Sequence, residues 1–125
     1  MNKQDLTLLT DLYELTMMQG YYKKGQHETV VFDVFYRHNP CGNGYSVCAG
    51  LDQVIDYIKS LNFTYEDVDY LRSLHIFDDD FLQYLSGFHF TGDIYAIPEG
   101  SVVFPKEPLL KVIAPIMEAQ LVETT

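Results

Sequence analysis

Tyr13 and Arg37 are the two side chains in this sequence best suited to meeting a small ligand. Tyr13 stands beside an apolar helical stripe, near the start of the first predicted helix. A tyrosine ring is a flat, amphipathic surface that stacks on aromatic groups, and a helix start attracts carboxylates. The plainer reading of the same residue is a core or interface contact. Arg37 stands at the end of a predicted strand, on the same face as Asp33. Its guanidinium can clamp a carboxylate or phosphate through two parallel hydrogen bonds. The plainer reading there is an ion pair with Asp33 or another nearby acid.

Other reactive side chains form no pattern that carries chemistry. Gly42-Asn43-Gly44 lacks the third glycine of a dinucleotide loop, and no Walker-type Gly-Lys-Ser/Thr occurs, so the segment reads as a turn. The acids Glu66, Asp67, Asp69, Asp78, Asp79 and Asp80 fall at predicted helix starts, where carboxylates cap free N–H groups; no metal is expected on them. His27, His38, His75 and His89 are scattered, without a nucleophile beside them in sequence. Cys41 and Cys48 form no CxxC pair and read as free thiols, Cys48 as a small packing residue in an apolar strand.

The elements that must position these residues follow from periodicity. Residues 6–22 read as mainly helical, with Thr10 as N-cap and Asp11 in the first turn, where the helix dipole favours a negative charge. Leu12, Leu15 and Met18 share one side, and Leu9, Tyr13 and Met17 a neighbouring stripe. Residues 30–37 read as a strand with Val30, Phe32, Val34 and Tyr36 on one face and Val31, Asp33, Phe35 and Arg37 on the other. The Asn43-Gly44 pair signals a hairpin, with residues 45–49 as the return strand. Leu51, Val54, Ile55, Ile58 and Leu61 form a helical stripe. Thr64 with Asp67 resembles a capping box ahead of Val68, Leu71 and Leu74. Asp78 to Asp80 open a short helix carrying Phe81, Leu82 and Leu85. Residues 94–97, 101–104 and 109–113 read as short strands separated by proline turns, and Pro115 opens a last helix that runs to Thr125. This layout is α+β in class.

Bulk properties exclude several function classes. A composition of 47% apolar and 21% charged residues is that of a folded domain. A net charge of −10 with only eight Lys and Arg disfavours nucleic acid and anionic membranes. The start of the chain lacks a basic stretch followed by an apolar one, and no apolar run approaches the ~18 residues of a membrane span. A reduced, cytoplasmic setting is expected.

The run Leu8-Leu9-Thr10-Asp11-Leu12-Tyr13-Glu14-Leu15-Thr16-Met17-Met18-Gln19-Gly20-Tyr21 resembles the opening of bacterial nicotinate phosphoribosyltransferases. The resemblance continues through Phe32-Asp33-Val34-Phe35-Tyr36-Arg37-His38-Asn39-Pro40, Ala49-Gly50-Leu51 and Phe90-Thr91-Gly92-Asp93-Ile94-Tyr95-Ala96-Ile97-Pro98-Glu99-Gly100. It closes with Phe104-Pro105, Glu107-Pro108-Leu109-Leu110 and Glu118-Ala119-Gln120-Leu121-Val122-Glu123-Thr124, and so covers nearly the whole chain in order.

That family joins nicotinate to phosphoribosyl pyrophosphate, giving nicotinate mononucleotide and pyrophosphate, with ATP hydrolysis coupled through a phosphorylated histidine. The resemblance therefore implies a glycosyl transfer with ligase-like ATP coupling, Mg2+ beside the ATP, and a homodimer with active sites at the subunit interface. It implies a hammerhead-like N-terminal α/β domain of the type II phosphoribosyltransferases, residues 1–114. Residues 115–125 would begin a helix leading into a barrel domain that this chain lacks. The tyrosine matching Tyr13 stacks on nicotinate bound in the neighbouring subunit, with Asp11 and Thr16 close by as possible supports and Arg37 as a weaker one. No catalytic residue and no metal ligand falls in this chain, and none of its four histidines matches the phosphorylated one. The chain alone is expected to be inactive, with apolar surface exposed on residues 116–122. Rival readings are a segment of a nicotinamide or quinolinate phosphoribosyltransferase, a carrier module bearing a group on Lys106, and a stand-alone dimerisation module.

Overall fold

The computed structural model describes residues 6–124. The first five residues, read above for a targeting signal, and Thr125, the last residue of the final predicted helix, lie outside the described residues. The chain runs α1 (Leu12–Lys23), β1 (Thr29–Val34), a single 3-10 turn (Pro40–Gly42), β2 (Ser46–Val47), α2 (Leu51–Ser60), α3 (Tyr65–Ser73), α4 (Asp79–Ser86), β3 (Asp93–Ala96), β4 (Val102–Val103), β5 (Leu110–Pro115) and α5 (Ile116–Leu121). The α+β expectation matches this mixture of helices and antiparallel strands.

The main sheet has the order β1-β5-β3, all antiparallel, so the last strand in sequence is the central one. Thr29 faces Pro115 and Val34 faces Leu110 on one side of β5; Asp93 faces Ile113 and Ala96 faces Leu110 on the other. Along β5, Leu110, Val112 and Ala114 are buried while Lys111 and Ile113 are only partly so. Alternation thus sets one face of the sheet against the helices. The other face carries the cross-strand pair Asp33–Lys111 at 3.8 Å.

The expected hairpin between residues 30–37 and 45–49 is not formed. β1 pairs with β5, and β2 pairs with β4 as a separate two-stranded ribbon. Cys48 N donates to Ser101 O and Gly100 N to Cys48 O, each at 2.9 Å, so the ribbon is tied to the turn before β4. The segment carrying Asn43-Gly44 bends instead through the 3-10 turn, where Cys41 and Gly42 both take positive φ. Strand β1 also ends at Val34, three residues before Arg37. Asp33 pairs across the sheet with Lys111, and Arg37 makes no ion pair among the described residues.

The helices follow their stripes. In α2, Ile58 is buried and Leu51, Val54 and Ile55 are partly so. Gly50 precedes it at φ +106°, a conformation that favours glycine. In α3 the capping box is complete: Thr64 Oγ1 accepts from Asp67 N at 3.2 Å, and Thr64 N donates to Asp67 Oδ2 at 2.7 Å. In α4, Phe81, Leu82 and Leu85 are fully buried. The start of α4 is held from another helix: Asp78 N donates to Gln19 Oε1 at 2.7 Å, and Gln19 Nε2 donates to Ile76 O at 3.1 Å. The Asp78 carboxylate does not cap its own helix and pairs with Lys23.

Leu15 and Met18 of α1, the buried side chains of α4 and the inner face of β5 form one core. Phe81 sits among Tyr22, Phe77 and Tyr84, with ring centroids 5.8–6.2 Å away. Helix α5 belongs to the same core. Met117, Ala119, Leu121 and Val122 are buried, contrary to the apolar surface expected on residues 116–122. Among the described residues, no helix is long and apolar enough to cross a membrane.

Candidate functional site

The first turn of α1 meets the last residues of the described chain, and here the side chains with chemical potential gather. Asp11, not Thr10, is the N-cap; its backbone is extended and its side chain makes no capping bond. Thr10 turns its hydroxyl to the carboxylate of Glu14. Tyr13 is 44% exposed. Thr16 Oγ1 donates to Tyr13 O at 2.9 Å, a bond within the helix that leaves the Tyr13 ring untouched.

Glu14 is the residue that pattern reading missed. It is 0% exposed, and shares the inward stripe of α1 with Leu15 and Met18. A position four residues before a buried methionine faces the same way, and α5 packs across that stripe. Burying a carboxyl is costly unless its oxygens are engaged. Thr10 engages Oε2, and Thr124 Oγ1 donates to Oε1 at 2.5 Å. Burial raises the Glu14 pKa above the ordinary carboxylate value; the Thr124 hydrogen bonds pull the other way without cancelling it, and Glu123 and Asp11 add to the rise.

The neighbouring residues interlock in the same place. Partial desolvation raises the Tyr13 pKa; Glu123 and Glu14 add to the rise and Thr124 opposes it. Glu123 Oε2 in turn accepts from Gln120 Nε2 at 2.6 Å. One turn back along α5, Glu118 is buried and accepts from Thr91 N at 2.6 Å and Thr91 Oγ1 at 2.8 Å, tying α5 to the segment before β3.

A groove of about 560 Å³ opens beside this junction, between the segment before α1, the start of α2 and the adjoining ends of β3 and β5. Leu9, Leu51, Val54 and Ile97 give it apolar walls, and Asp11 and Thr124 line it as well. Its size suits a small ligand. Among the described residues, no Lys, Arg or His side chain lines it.

Of the residues singled out from sequence, Asp11 and Tyr13 stand together at the start of α1, with Thr16 one turn further on. Arg37 belongs elsewhere, in an exposed loop beyond β1. Its neighbour Tyr36 anchors that loop: the phenol donates to Val103 O at 2.9 Å, and Tyr36 O accepts from Lys106 N at 2.8 Å. Lys106 takes a positive φ of 66° in the exposed turn between β4 and β5. Glu14, Glu118 and Gln120 carried no sequence signal as buried groups, since polar residues in a helical pattern read as solvated faces.

Residues 8–125 match the family model described as nicotinate phosphoribosyltransferase (NAPRTase) N-terminal domain. Nicotinate phosphoribosyltransferase pncB2 of Mycobacterium tuberculosis is 50% identical over 117 residues, which is 94% of this chain and 25% of that protein. The nicotinate phosphoribosyltransferase of Bacillus subtilis is 44% identical over 120 residues, 95% of this chain and 24% of that protein. The crystal structure of human nicotinic acid phosphoribosyltransferase superposes with a TM-score of 0.83 at 34% identity, covering 92% of this chain and 24% of that one. A nicotinate-nucleotide pyrophosphorylase from Pyrococcus furiosus shares the fold, with a TM-score of 0.67 at 20% identity over 100% of this chain and 25% of that one. The chain thus spans about a quarter of the length of the curated relatives it matches.

Proposed function

Because this chain belongs to the nicotinate phosphoribosyltransferase family as its N-terminal domain, we propose that it serves that enzyme's reaction by supplying one aromatic wall of the nicotinate site. The reaction joins nicotinate to phosphoribosyl pyrophosphate and releases pyrophosphate, with ATP hydrolysed alongside, in the salvage of NAD. The observation that carries the proposal is the half-exposed Tyr13 ring at the start of α1, within the motif that opens the family resemblance.

What this chain can contribute follows from the charges around that ring. Glu14 and Glu123 both act on Tyr13 as acids, so the carboxylate of nicotinate is not held from this side. The phenol face is left for the pyridine ring, an offset stack contributing about 1 kcal/mol beyond burial. Cations for the carboxylate, the pyrophosphate and the ATP come from outside this chain, in a homodimer from the neighbouring subunit. We infer that the Mg2+ accompanying ATP is held outside it too. Asp67 is used in the α3 cap, Asp69 and Asp79 pair with Arg72, and Asp78 pairs with Lys23. Cys41 and Cys48 are both free thiols, which suits the reducing cytoplasm in which we place the enzyme.

The test is a chimera in which this chain replaces the matching quarter of the Bacillus subtilis enzyme, assayed for nicotinate mononucleotide beside the chain alone. Product from the chimera and none from the chain alone is expected. Tyr13→Ala in the chimera raises KM for nicotinate about fivefold, the equivalent of the lost stack. A folded chimera that makes no product, where the intact Bacillus subtilis enzyme does, overturns the proposal.

A further inference from the structure

The groove beside the junction of α1 and α5 has apolar walls that the fold leaves in water. Leu9 is 68% exposed and Val34 46%, and with Leu51 and Val54 of α2 they line a space of about 560 Å³. A contiguous apolar surface of this kind marks a contact with something else. Asp11 is the charged residue that lines it among the described residues, and an acid repels anions such as nicotinate and phosphoribosyl pyrophosphate. The walls suit the apolar side chains of a polypeptide.

Two observations say which polypeptide. Thr124, the last described residue, lines this same groove, while Leu121 and Val122 just before it are buried in the core. The backbone is therefore held by its own core up to the groove's rim. The chain also matches its family as an N-terminal domain and spans only 25% and 24% of two of the relatives. In a protein of that length the larger part continues from the rim. We propose that the groove is the seat of the polypeptide that follows this domain in the full-length enzyme, and that apolar side chains of the same subunit fill it. The proposal rests on family membership and not on the role of Tyr13. The apolar contact surface expected on residues 116–122 lies instead in this groove, because the core takes up α5.

Cys48 is the reporter. It is a free, half-buried thiol that lines the groove, with Sγ 3.9 Å from Ile97 O. A maleimide reaches it only where the groove is open. Its reaction is followed by mass spectrometry of the Cys48 peptide, in dilute chain alone and in the chimera. The chimera is expected to react at least about tenfold more slowly, whatever its dilution. Leu9→Lys leaves the urea midpoint of the chain alone unchanged, since that side chain is mostly in water, and brings back the fast reaction in the chimera. Leu9→Gln, the milder change, brings it back in part. Equal rates in the chain and the chimera overturn the proposal, as does a slow rate that neither Leu9 variant alters. Protection that disappears as the chimera is diluted also overturns it, because a neighbouring copy would then be the occupant. A chimera that protects Cys48 yet makes no nicotinate mononucleotide supports the docking and sinks the functional reading alone.

Discussion

Glu14 is a carboxyl placed where most helices would put leucine, and its protonation is linked to folding. Its folded pKa is raised by burial above the value it has in the unfolded chain. The folded state therefore holds its proton more tightly than the unfolded state, and stability falls as pH rises. The contribution is fully present below the unfolded pKa and is lost as pH climbs through the raised folded one. Urea unfolding followed from mildly acid to neutral pH is expected to show this decline, and Glu14→Gln to flatten it. A variant with the same slope as the parent would mean that Glu14 is not the group responsible. The sequence hides this residue for a physical reason. Its partner Thr124 lies at the other end of the chain, and a glutamate in a helical repeat is usually solvated.

Helix caps show the opposite case, because their signals are local. Thr64 and Asp67 are three residues apart, and both halves of the capping box form as read. Thr64→Ala should cost about 1 kcal/mol, measured as a lower urea midpoint at unchanged slope; a change within error would mean that α3 is held by packing alone. The stripes of α2 and α4 were readable for the same reason, since 3.6-residue periodicity needs no knowledge of partners. Strand pairing does need it. Asn43-Gly44 carries a hairpin signal, yet β1 lies against β5, with Val34 opposite Leu110, far away in sequence. No local rule reports that choice. The groove was invisible for the same reason, being assembled from the segment before α1, the start of α2 and two strand ends. Tyr13 and Asp11 fall together at the start of α1 because they are close in sequence, whereas Arg37 was read onto a strand that ends before reaching it.

The molecule is closed by its last described elements. Met117, Ala119, Leu121 and Val122 complete the core laid down by α1 and α4. A chain stopped after Pro115 loses those four apolar groups and the Thr91–Glu118 tie. It is expected to show no cooperative urea transition and to lose its near-ultraviolet dichroism; a sharp transition close to the parent's would show that α5 is dispensable to the core.

The central position of β5 also has a bearing on synthesis. Ribosomes make β1 first, then β3, and only afterwards the strand that lies between them. At ~5–20 residues per second, β1 waits on the order of several seconds for its partner, with its backbone donors and acceptors unpaired. A holdase chaperone scanning the nascent polypeptide would find β1 during that interval. Val31 and Val34 would be part of what it grips, and both stay exposed even in the finished fold.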